Sequence, residues 1–163
     1  MVDIQETWHQ AVIALGSNLG DREQTLYEAV ADLRATEGIR VRAESTHHDT
    51  VALTASGFDE NAPAYLNQVV IVETAWQPDK LLAILLSIEA AHGRSRDGTQ
   101  YADRILDLDL IFYDDLVLET EDLTLPHPRA HERTFVLRPW FEIDPEAAIP
   151  GRGSVATLLE ELD

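Results

Sequence analysis

The chain has 163 residues, the length of one domain; 45% are hydrophobic and 26% charged, enough apolar material for a core and too much for a disordered chain. Thirty acidic residues against 12 basic ones give a net charge of −18, a field that makes nucleic acid and anionic membranes poor partners. No apolar run approaches the roughly 20 residues of a membrane-spanning helix, and the lack of cysteine excludes disulfides, thiolate metal sites and cysteine nucleophiles.

Met1 to Gln10 is polar and carries Asp3 and Glu6, unlike a signal peptide, so a cytoplasmic protein is expected. Lys80 is the sole lysine beside 11 arginines. A salt-adapted surface and a high-GC coding bias account for that equally well.

In chain order, Val12 to Leu15 reads as a buried strand ended by the turn cluster Gly16 to Gly20. Asp21 is placed to cap a helix from about Arg22 to Glu37, with Leu26, Val30, Leu33 and Glu37 at helical spacing and Gly38 at its stop. Ile39 to Ala43 alternates as a half-buried strand, and Thr46 to Ala64 reads as a long, polar loop. Tyr65 to Thr74 is a strand. Pro78 opens a second helix reaching about His92, with Leu81, Leu82, Leu85 and Ile88 on its packed side. After a loop from Gly93 to Arg104, Ile105 to Tyr113 alternates strictly as a strand and turns at Asp114–Asp115 toward Leu116 to Leu118. A short helix disturbed by Pro139 is expected over Phe135 to Ile143, and Ser154 caps a last turn or two ending at Leu162. The order strand, helix, strand, strand, helix, strand predicts an α+β, ferredoxin-like βαββαβ core: a mainly antiparallel sheet with helices on one face, plus a C-terminal extension. Residues 1–163 are expected to form a single domain.

Within the last core strand, Asp107 and Asp109 point to one face about 6.6 Å apart, opposite Leu106, Leu108 and Leu110. Two such carboxylates suit Mg²⁺, which keeps water and phosphate oxygens in its other positions; a solvated acidic face has the same pattern. Arg94, Arg96 and Arg104 precede that strand and Arg129, Arg133 and Arg138 follow it. Arginine forks beside Mg²⁺ carboxylates suit phosphoryl transfer, but the acids of the same stretch could pair with them on the surface. The Gly-Lys-Ser/Thr of a P-loop is missing, Gly16 to Gly20 lacks the third glycine of a dinucleotide site, and Pro128 between His127 and His131 argues against a zinc-binding helix.

Four segments resemble the 6-hydroxymethyl-7,8-dihydropterin pyrophosphokinase family: Ala14 to Asp21, Tyr65 to Asn67, Arg104 to Leu110, and Leu123 to Leu137, within a likeness running from about Ala11 to Pro150. The resemblance implies an enzyme of folate biosynthesis that takes ATP with two Mg²⁺ ions and a reduced pterin, transfers diphosphate to the pterin hydroxymethyl group, and works as a monomer. It implies Asp107 and Asp109 as Mg²⁺ ligands, with Arg94, Arg104 and Asp109 catalytic. Glu89, Arg96, Arg104, Thr124, His127 and Arg133 would contact ATP. Thr50, Val51, Leu53, Tyr65, Asn67, Tyr101 and Phe135 would contact the pterin, Tyr65 and Phe135 as the two rings that sandwich it. The chain departs from the family at Gln100-Tyr101-Ala102-Asp103, where basic-Trp-Gly-Pro is usual, at Val51 and at Asp122. Those departures admit a second reading, a paralogue that binds pterin or nucleotide as a regulatory module.

Overall fold

A computed structural model describes residues 7–18, 21–50, 53–54, 57–58, 65–92 and 106–162. Four long strands make the main sheet: β1 (His9–Ser17), β2 (Ile39–Glu44), β6 (Tyr65–Thr74) and β7 (Asp107–Tyr113). They lie in the order β2-β6-β1-β7, all neighbours antiparallel. With α1 (Arg22–Ala35) after β1 and α2 (Pro78–Ala91) after β6, this is the expected ferredoxin-like βαββαβ core. Between β2 and β6 the chain adds β3 (His48–Thr50), which pairs with β6, and the two-residue strands β4 (Leu53–Thr54) and β5 (Gly57–Phe58), which pair with each other. The expected long loop therefore contains strands. Beyond β7 come β8 (Leu118–Glu119) and β9 (Thr124–Leu125), a 3₁₀ turn at Ala130–Glu132, α3 (Thr134–Ile143), β10 (Ala148–Ile149), β11 (Gly153–Ser154) and α4 (Val155–Leu162).

Helix α1 starts where Asp21 accepts from the backbone N–H of Gln24 at 3.1 Å and stops before Gly38, at φ +85°; Glu37 lies outside it and is exposed. A Cβ at Gly38 would fall 2.5 Å from the indole nitrogen of Trp76, so only glycine fits there. The α4 cap also forms as expected, with Ser154 Oγ accepting from the N–H of Thr157 at 3.1 Å.

Strand alternation sends side chains of each strand to two cores. One, under α1 and α2, takes Ala11, Ile13, Leu15, Leu66, Val70, Val72, Leu106, Leu108 and Leu110 together with Leu26, Leu33, Leu81 and Leu85. The other takes Val12, Val69, Ile71 and Ile111 against Val136, Leu137 and Trp140 of α3 and Val155 and Leu158 of α4. The core helices α1 and α2 thus lie on one face as expected, and the C-terminal extension covers part of the second. Helix α3 contains Pro139, which has no N–H to give to the carbonyl of Phe135, yet the helix continues because its apolar stripe is buried. Strict alternation in β7 is corrected as well, since the strand starts at Asp107 and the register against β1 slips between Val12 and Ile13, leaving Ile111 as a bulge. Ser45, between β2 and β3 in the chain, is tied to β6: its Oγ accepts from the N–H of Val69 at 2.9 Å and its N–H donates to the carbonyl of Val69 at 2.9 Å.

Candidate active site

The second face is apolar only where α3 and α4 reach. At the edge of that core the central strand β1 presents Ala14, and beyond it Gly16, both small. Gly16 lies opposite Asn67 of β6 on one side and Asp107 of β7 on the other. Ala14 lies likewise between Val69 and Asp109. Neighbouring strands are about 4.8 Å apart, so Asn67 and Asp107 face each other across about 10 Å of low floor. A Cβ at Gly16 would sit 3.3 Å from Asn67 Oδ1 and 3.6 Å from the Tyr65 ring, so both side chains lean over the glycine. Gly16 and Ser17 belong to the strand, not to the turn cluster expected there.

Asp107 and Asp109 are half-buried on this face, while Leu106, Leu108 and Leu110 are each 3% exposed on the other. The pair is fixed from behind. Glu89 of α2 is 5% exposed, and its Oε2 accepts from the N–H of Leu108, the residue between the two aspartates, at 2.6 Å. Among the described residues the aspartates are a pair, with no group of three or more metal-ligating side chains gathered. That suits a hard cation that keeps water and shares phosphate oxygens.

Strand β7 is an edge strand, and a cleft of about 300 Å³ runs along its free side. Asp109, Glu89, Thr124 and His127 line it with the apolar Leu82, Leu86 and Leu123. His127 Nδ1 accepts from the N–H of Arg129 at 3.2 Å, which leaves Nε2 as the nitrogen free to donate when the ring is neutral. Burial lowers the His127 pKa, with Arg133 and Arg129 acting the same way and Asp109 opposing them, so the ring is neutral at pH 7. Where α3 begins, the Arg133 guanidinium lies 5.6 Å from the Phe135 ring centroid, and Phe135 is 38% exposed, unlike a core aromatic.

Tyr65, Asn67, Asp107 and Asp109 thus share one floor, and Glu89, Asp109, Thr124 and His127 share the adjoining cleft, with Asp109 common to both. Thr50 lies in β3 opposite Tyr65, and Leu53 lies in β4. Val51, Arg94, Arg96, Tyr101 and Arg104 lie outside the described residues. Leu82, expected in the core, lines the cleft instead, because it sits one position round the helix from Leu81. Glu121 and Asp122 also line the cleft. Asp122 stands out in the sequence only as a departure from the family, Glu121 has no periodic signal to single it out, and Gly16 is visible only as a turn former.

Known proteins resemble this chain along most of its length. The 7,8-dihydro-6-hydroxymethylpterin-pyrophosphokinase profile matches residues 12–145. A 2-amino-4-hydroxy-6-hydroxymethyldihydropteridine pyrophosphokinase of Synechocystis is 38% identical over 162 residues, covering 99% of this chain and 80% of that protein. Its counterpart in Methylorubrum extorquens is 40% identical, covering 94% of each. A crystal structure of a Plasmodium falciparum HPPK-DHPS triple mutant superposes with a TM-score of 0.75 at 15% identity, which speaks for the fold; it covers 98% of this chain and 42% of that one. By sequence profile and by its relatives, the chain belongs to the 7,8-dihydro-6-hydroxymethylpterin-pyrophosphokinase family.

Proposed function

We propose that this chain, a pyrophosphokinase by family, transfers diphosphate from MgATP to the hydroxymethyl group of 6-hydroxymethyl-7,8-dihydropterin and releases AMP, in folate biosynthesis. The observation that carries this reading is the row Asn67–Gly16–Asp107 across three strands, with Asp109 one pleat along and opening into the cleft. A flat heterocycle fits over the glycine floor, stacked between Tyr65 and Phe135, its donor and acceptor edge met by the Asn67 amide. That directs its hydroxymethyl group toward the aspartates.

ATP takes the cleft. Its base lies against Leu82, Leu86 and Leu123, Thr124 and Glu89 contact the nucleotide, and its phosphates run toward Asp109, where neutral His127 can donate from Nε2 and Arg133 from its guanidinium. The hydroxymethyl oxygen attacks the β-phosphorus, the bond from that phosphorus to the α-phosphate bridging oxygen breaks, AMP leaves, and the hydroxyl proton departs beside Asp109. Asp107 and Asp109 would hold two Mg²⁺ ions, which supply charge neutralisation of the transferred group. Arg94 and Arg104 act on the transferred phosphates, Arg96 binds ATP, and Thr50, Val51, Leu53 and Tyr101 contact the pterin. The domain works as a cytoplasmic monomer spanning residues 1–163. No described helix is long and apolar enough to cross a membrane.

An assay with MgATP and the reduced pterin tests the reading. AMP and pterin diphosphate should form in equal amounts; ATP hydrolysis to ADP, or no turnover, would refute it.

A further inference from the structure

The residue facing Asn67 on the side away from Gly16 is His48: β3 pairs with β6 so that His48 and Asn67 are direct cross-strand partners. Direct partners project to the same face with Cβ atoms about 5 Å apart, which puts the imidazole beside the amide assigned to the pterin edge. The imidazole is itself held. Its Nε2 lies 2.8 Å from Oε1 of Glu142, near the end of α3, across 94 positions of sequence. The other oxygen of that carboxylate, Oε2, accepts from the N–H of Thr46 at 2.8 Å, and Oε1 also accepts from the Thr46 hydroxyl at 2.9 Å. Glu142 is therefore a clamp on the segment entering β3, and it sits on the same helix as Phe135. The bonds outweigh burial, which acts to raise the carboxyl pKa, and hold it below its ordinary 4.5, so Glu142 is an anion at neutral pH.

We infer that His48 and Glu142 form a positioning pair for pterin recognition: Glu142 fixes the His48 ring and the start of β3 against α3, and His48 confines the neighbouring Asn67 amide over Gly16. This rests on the proposed pterin site. Neither residue touches the reacting atoms, and neither lines the nucleotide cleft, so the pair acts on one substrate only. Two walls of the pterin pocket, the β3–β6 side and the Phe135 helix, are tied at the Glu142 carboxylate, so its loss frees them relative to each other.

The test is a double-mutant cycle of His48→Ala, Glu142→Ala and the pair, read by pterin fluorescence titration, MgATP titration, turnover and thermal midpoint. Each single variant should raise the pterin Kd about tenfold, as expected when one charge-assisted hydrogen bond is lost, while the MgATP Kd stays within about twofold. The double variant should be no worse than the weaker-binding single, because the two residues act as a unit. Thr46→Val, which removes only the hydroxyl bond, serves as a milder variant if Glu142→Ala folds poorly, and should shift pterin affinity alone. Unchanged pterin affinity in folded variants, equal weakening of both ligands, or additive singles would overturn the pair. A wild-type chain that binds no pterin would instead refute the functional reading beneath it.

Discussion

The two faces of one sheet have different fates. Along β1, β6 and β7 the face under α1 and α2 is mainly apolar, with Ile13, Leu15, Leu66, Val70, Leu108 and Leu110 all in one core and Gln68 as a buried polar residue among them, its amide donating to the carbonyl of Ser45. The opposite face is apolar only through Val12, Val69, Ile71 and Ile111, and then becomes Gly16, Asn67, Asp107 and Asp109. Since adjacent residues of a strand face opposite ways, every functional side chain on the floor is one bond-step from a fully packed one. Asp107 and Asp109 are held by the burial of Leu106, Leu108 and Leu110, and by the Glu89 bond to the N–H of Leu108. Under the proposed function the packed face supplies rigidity and the open face supplies chemistry, and substitutions on the two should separate those properties.

The largest effect belongs to the open face. Asp107→Asn and Asp109→Asn should each lower AMP formation by roughly a thousandfold or more, because a carboxamide lacks the charge that Mg²⁺ and its phosphates require, while the thermal midpoint barely moves. Near-normal turnover in either would break the contrast. On the packed face the reverse is expected. Leu110→Ala should cost about 2–5 kcal/mol in urea unfolding, with turnover per folded molecule largely kept.

A smaller change is expected at Phe135, which is exposed enough to meet a ligand. Phe135→Ala should weaken pterin binding by on the order of 1 kcal/mol and leave stability near wild type; a large loss of stability with intact pterin affinity would move Phe135 to the core. The smallest effect concerns acid. The Glu142 carboxyl is pulled below 4.5 in the folded chain, so its contribution is present above that value and is lost as pH falls through the folded pKa. Wild type should exceed Glu142→Gln by about 1 kcal/mol at pH 7, and the gap should close below about pH 4.5 in parallel unfolding curves.

Periodicity made the packed face legible. The leucines of β7, Leu81 and Leu85 of α2 and the order of the six core elements can be read from residue spacing, and the shared facing of Asp107 and Asp109, away from those leucines, follows from the same rule. The partial cover over the second face was harder to read, since α3 carries Pro139, a helix breaker whose local cost is outweighed by burial of Val136, Leu137 and Trp140. The bulge at Ile111 and the strand β3 depend on partners distant in sequence, as does the His48–Glu142 contact across 94 positions. The site residues were recognisable as a set only through the family resemblance; chemistry alone left Tyr65, Asn67 and Phe135 indistinguishable from core or turn residues. Gly16 gave no sign of its role, because a small residue in a floor and a small residue in a turn look alike in one sequence.

The floor itself gives the most direct test. Gly16→Val would place a branched side chain between Asn67 and Asp107, starting from a Cβ already 3.3 Å from Asn67 Oδ1, in a strand where valine is otherwise well suited. Pterin titration of this variant, with thermal midpoint and MgATP affinity as controls, should show pterin binding weakened by about a hundredfold or more in a folded chain that still binds MgATP. An unchanged pterin Kd in that folded variant would contradict the assignment of the Gly16 floor as the pterin site.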